Sequence, residues 1–141
     1  MELNIQQIQE ILPHRDPFLL IDQVTACEPG SFADAVRRVS ADDPVFSGHF
    51  PGHPVMPGVL MLEAMAQTAA VALLSLEENR GKGVLLTGVR NAKFLRPVVP
   101  DTTLFLHSEL VKMLGNMGTV RASATAEGEP CATADLSFAI V

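Results

Sequence analysis

From Cys131 to Val141 the apolar residues Ala132, Ala134, Leu136, Phe138 and Ile140 alternate with Thr133, Asp135 and Ser137. A period of two marks a strand with one face in a core. Shorter β-type runs cover 18–27, 32–40, 83–89, 92–99, 103–113 and 119–126, separated by turn-forming clusters such as Glu28-Pro29-Gly30-Ser31 and Gly115-Asn116-Met117-Gly118. Two segments break this pattern. Ile5, Ile8 and Leu12 fall on one side of a short helix, which Asn4 can cap with Gln7 reaching back as in a capping box, and which Pro13 ends. Between Gly58 and Leu76 only Glu63, Gln67, Thr68 and Ser75 are polar, so a second helix opens after Pro57, ends towards Gly81 and is buried all round. The expected order is two strands, one buried helix, then four or five strands. A sheet must curl round that helix to cover it, which predicts a single α+β domain over residues 1–141 with an edge strand free for a second copy.

Composition narrows the function classes. The formal charge is −6, with no Trp and no Tyr, so a nucleic-acid-binding face of phosphate-neutralising cations and stacking aromatics is not expected. The charge is unevenly spread: Arg80, Lys82, Arg90, Lys93 and Arg96 lie in a stretch without Asp or Glu, which is either an ordinary solvated strand edge or a surface for an acidic partner. Cys27 and Cys131 form no CxxC pattern and read as small buried thiols in a reducing compartment. The N-terminal stretch has no leader-type apolar region, and the one apolar helix carries an acid, so a cytoplasmic protein that does not enter a membrane is expected.

The candidate chemistry gathers in GHFPGHPVMPGVLMLEAMAQ, residues 48–67. Seven of the fifteen residues from Pro44 to Gly58 are Pro or Gly, which makes this a stiff irregular loop. His49 and His53 are four apart, but Pro51, Gly52 and Pro54 forbid the helix that would align them on a metal, and no metal site is expected. His49 on the loop, the free N–H groups at Gly58 and the carboxyl of Glu63 together supply a base, an oxyanion donor and an acid. Removing a proton alpha to a thioester carbonyl builds charge that helix N–H groups stabilise, and losing a beta hydroxyl needs a proton donor. A carboxyl among apolar neighbours resists ionising and suits that second task. Gln67, one turn after Glu63, is placed to orient it. His14 and His107 read as structural.

LPHRDPFLLIDQV (12–24), the central motif, AKFLRPVVPDTTL (92–104) and ADLSFAIV (134–141) closely resemble the (3R)-hydroxyacyl-[acyl-carrier-protein] dehydratases of bacterial type II fatty acid synthesis, the FabZ type. The resemblance runs nearly end to end. It implies a hotdog fold, homodimers assembled as a trimer of dimers, and active sites formed between subunits. It also implies dehydration of a 3-hydroxyacyl thioester on acyl carrier protein to the trans-2-enoyl product, with no cofactor or metal. By motif, His49 and Glu63 match the catalytic pair, drawn from two subunits, and Gly58 the residue whose N–H meets the thioester carbonyl. A branch that also isomerises the double bond carries Asp at the acid position, so Glu63 points to the plain dehydratases. Asp16, His53 and Asp101 depart from the pattern, where Tyr, Lys and Gly are usual. A hotdog thioesterase and a non-catalytic acyl-carrier-binding module are the competing readings.

Overall fold

The computed structural model describes residues 1–141. Helix α1 (Ile5–Ile11) opens with the capping box: Gln7 N–H donates to Asn4 Oδ1 at 2.9 Å, and Asn4 N–H to Gln7 Oε1 at 2.8 Å. Strands β1 (Gln23–Glu28) and β2 (Phe32–Val39) form a hairpin, and helix α2 (Gly58–Leu74) follows a loop. Then come β3 (Val84–Phe94), β4 (Thr102–Leu114), β5 (Met117–Ala126) and β6 (Glu129–Ile140). The six strands form one antiparallel sheet in the order β1-β2-β4-β5-β6-β3, wrapped on α2. This is the hotdog arrangement.

Strand alternation turns one face of the sheet onto the helix. In β6 the five alternating apolar residues from Ala132 to Ile140 are all buried, as are Val120, Ala122 and Ala124 of β5 and Leu104 and Leu106 of β4. Ala64, Ala69, Ala70 and Ala72 of α2 are buried with them, and side chains this small let the helix sit close to the sheet. The one polar group that β4 sends into this layer, Ser108, is satisfied by donating its hydroxyl to the Met65 carbonyl at 2.8 Å.

Four elements differ from the sequence expectation. Residues 18–22 are not strand, although Leu19, Leu20 and Ile21 are buried, because the Gln67 side chain takes the backbone groups of Phe18 and Leu20 that a ladder would need. The runs 83–89 and 92–99 merge into β3, which ends at Phe94. Asn91 makes this possible: it adopts φ 54°, a left-handed conformation Asn tolerates, and forms a bulge that keeps both halves paired with β6. Helix α2 stops at Leu74, not near Gly81, and Asn79 from the following turn caps it by donating to the Leu73 carbonyl at 2.9 Å. Finally, α2 is not covered all round by its own chain. Val59 is 68% exposed and the Glu63 side chain 25%.

Candidate active site

His49 is held by a web of short-range backbone bonds. Asp43 caps the turn Pro44–Ser47 by accepting from Val45 N–H at 3.0 Å, and the Val45 carbonyl then accepts from the N–H of both Gly48 and His49. Val55 N–H returns to the His49 carbonyl at 3.1 Å, and Phe50 and His53 exchange a pair of backbone bonds at 3.1 and 2.8 Å. Met56 N–H ties the end of the loop to the Val98 carbonyl at 2.8 Å. The His49–Phe50 peptide is cis, and the two rings stack with centroids 3.9 Å apart.

The loop also fixes the imidazole tautomer. His49 Nδ1 lies 2.7 Å from the Val55 carbonyl, which can only accept, so a neutral ring carries its proton on Nδ1 and leaves the Nε2 lone pair free. That is the form a general base requires. Beside it, Pro57 precedes α2 with no side-chain cap, and no acceptor of the chain takes the N–H of Gly58 or Val59. These two donors, at the positive end of the helix dipole, suit an anionic oxygen. His49, Gly58, Met61, Phe94 and Arg96 line one hollow. A side chain at Gly58 would put its Cβ 2.8 Å from the Phe94 ring, so glycine lets that ring lie against the first turn of α2.

Glu63 belongs to a different hollow. Five residues of α-helix rotate a side chain by about 140° from Gly58. Glu63 accordingly lines a cavity of 240 Å³ with Gln67, Ala70, Leu73, Leu86 and Phe138, on the other side of α2. Within one chain the structure therefore brings His49 to Gly58, and Glu63 to Gln67, but not the two pairs to each other.

Gln67 is 1% exposed and its amide orientation is fixed by three bonds. Leu20 N–H donates to Oε1 at 2.8 Å, so Nε2 must be the donor to the Phe18 carbonyl at 2.8 Å and to Glu63 Oε2 at 3.0 Å. Because Oε2 receives this N–H, Oε1 is the Glu63 oxygen left to carry or give up a proton. Gln67 thus contacts the carboxyl that the sequence expected it to orient. His14, read as structural from sequence, lies in the same cavity with Nε2 3.9 Å from Glu63 Oε2. No spacing rule finds it, since 49 residues separate the two. His107 does lie outside, paired with Asp34 on the outer face of the sheet. No three His, Cys, Asp or Glu side chains converge as a metal site would need, and no helix is long and apolar enough to cross a membrane.

Residues 12–135 match the model of the FabA-like domain. The 3-hydroxyacyl-[acyl-carrier-protein] dehydratase FabZ of Latilactobacillus sakei is 52% identical over 98% of this chain and 99% of its own. The chain belongs to the FabZ dehydratases of the FabA-like family. The protein of the same name from Clostridium acetobutylicum is 48% identical across the whole of both chains. Among solved structures, the dehydratase heterocomplex ApeI:P from Xenorhabdus doucetiae superposes with a TM-score of 0.78 at 21% identity, covering 94% of this chain and 89% of that one. At that identity the likeness speaks to the fold, and it agrees with the sheet-wrapped helix. Like its FabZ relatives the chain is a dehydratase enzyme.

Proposed function

We propose that the chain, acting as one domain, dehydrates (3R)-hydroxyacyl thioesters on acyl carrier protein to trans-2-enoyl thioesters, with His49 of one subunit and Glu63 of another forming each active site. The observation that carries the two-subunit reading is the separation of the pair onto opposite sides of α2. The exposed edge supports it: β3 ends the sheet without a partner strand and leaves Leu85, Leu86, Val89 and Phe94 at least 40% exposed. An apolar edge of this length calls for a second copy. Joining two β3 edges would cover it and bring one chain's His49 hollow towards the other's Glu63 cavity.

The chemistry then balances. His49 Nε2 takes the proton from C2, and the electron pair moves onto the thioester oxygen, where the Gly58 N–H meets the developing charge. As the C2–C3 double bond forms, the C3–O bond breaks and the hydroxyl leaves as water with the proton from Glu63. Return of the proton from the imidazolium to the carboxylate resets the pair. The apolar cavity behind Glu63 accommodates the acyl chain, and the cations from Arg80 to Arg96 give an acidic carrier a landing surface. A trimer of dimers in the cytoplasm, working without metal or cofactor, completes this reading.

Mixed dimers test it. His49→Ala and Glu63→Ala homodimers should each be inactive on a 3-hydroxyacyl-carrier substrate. After subunit exchange at equal amounts, half the dimers are mixed and each has one intact site of two, so activity should return to about a quarter of the parent. Confirmed exchange with activity still at zero overturns the shared site.

A further inference from the structure

We infer that His14 is a positioning residue for the carboxyl of Glu63, a third polar side chain of the acid's pocket beside Gln67; the inference rests on the acid role proposed for Glu63. Three observations converge. His14 Nε2 stands 3.9 Å from Glu63 Oε2, beyond a direct hydrogen bond but within reach through one bridging water. Its other nitrogen, Nδ1, is buried with no hydrogen-bond partner, the one side-chain nitrogen or oxygen in the molecule in that condition. A ring placed there only for packing would be better replaced by an apolar one, since a buried polar atom without a partner loses its hydration and gains nothing in return. Third, the cavity is apolar apart from His14, Glu63 and Gln67.

The ring is also held in place. Arg15 donates to the carbonyls of Gln9, Leu12 and His14, at 3.0, 2.8 and 2.6 Å, and so pins the chain on both sides of His14. The imidazole stacks on Phe18, with centroids 6.4 Å apart and planes 16° from parallel, and the Phe18 carbonyl is itself held by Gln67 Nε2. One Gln67 amide therefore links the His14 segment to the acid. Both neighbours approach Glu63 at Oε2, which leaves Oε1 without a side-chain partner and so as the oxygen free to bear the proton. Without His14 the carboxyl keeps a single side-chain anchor and can rotate about its terminal torsion.

The test uses the full chain with His14→Leu, His14→Gln and Glu63→Gln. On a 3-hydroxyacyl-carrier substrate, His14→Leu should lower kcat about tenfold with KM changed less than about twofold, the pattern of lost transition-state geometry. His14→Gln, which keeps a polar donor and acceptor, should recover most of the loss. Ring-nitrogen NMR of ¹⁵N-histidine protein should show the His14 resonances moving in Glu63→Gln while those of His107 stay fixed. A folded His14→Leu with parental kcat overturns the inference, and if that variant fails to fold, unmoved His14 resonances in Glu63→Gln do so. A Glu63→Gln protein with parental turnover sinks the proposed acid and this inference together. An inactive Glu63→Gln beside a fully active His14→Leu sinks this inference alone.

Discussion

Gly58→Ala probes the proposed oxyanion donor without removing any functional group. A Cβ built at Gly58 falls 2.8 and 2.9 Å from Phe94 Cε1 and Cδ1 and 3.3 Å from Cγ. Carbon atoms rest at about 3.5–4.0 Å, so roughly 0.7–1 Å must open between the first turn of α2 and the ring. Phe94 lies at the end of β3, where the strand leaves the sheet, and part of the movement falls on the helix N-terminus that carries the Gly58 N–H. A misplacement of about 1 Å costs on the order of 10²-fold in rate, so kcat should fall by about 10- to 100-fold. Alanine is the better helix former by up to about 1 kcal/mol, which offsets part of the clash, and stability should change little. Steady-state dehydration of a 3-hydroxyacyl-carrier substrate, with urea unfolding alongside, separates the two effects. Phe94→Ala removes the obstructing ring, so the double variant should return to within about threefold of Phe94→Ala alone, a strong coupling in a double-mutant cycle. Parental kcat in Gly58→Ala, or a double variant no faster than Gly58→Ala, would refute the steric account.

Two further outcomes follow from polar contacts elsewhere. Gln67→Ala strips the partners from the buried Leu20 N–H and the Phe18 carbonyl. It should destabilise by about 2–4 kcal/mol in urea unfolding and lower turnover as well; a loss below about 0.5 kcal/mol would mean these groups find other partners. Asp135 sits on the outer face, where the Asn91 amide and then Arg121 hold its carboxyl below the ordinary carboxylate range. A group lowered in the folded state stabilises above its unfolded value, and that contribution disappears as pH falls through the folded one. Asp135→Asn should therefore be less stable than the parent at neutral pH and equal to it in strong acid, by denaturant titration at each pH. A difference that persists unchanged at pH 2 would contradict the linkage.

Much of this protein is written locally. The alternation from Ala132 to Ile140, the capping box of α1 and the apolar run of α2 each reflect a short-range rule, so the expected strands and helices recur in the structure at nearly the same places. The stiff loop bearing His49 was equally legible, because proline and glycine restrict the chain wherever they stand. The grouping of His49, Gly58 and Glu63 into one set did not survive within the chain, because the five-residue step from Gly58 to Glu63 turns the acid about 140° round the helix into another hollow. Other features were decided by contacts between residues far apart in sequence. Leu19 to Ile21 read as strand by composition, yet Gln67, some 47 residues away, claims the backbone there. The continuity of β3 through Asn91 depends on the β6 strand it pairs with. The placing of His14 beside Glu63 depends on how the chain after α1 crosses α2, a matter of global packing on which residue spacing is silent.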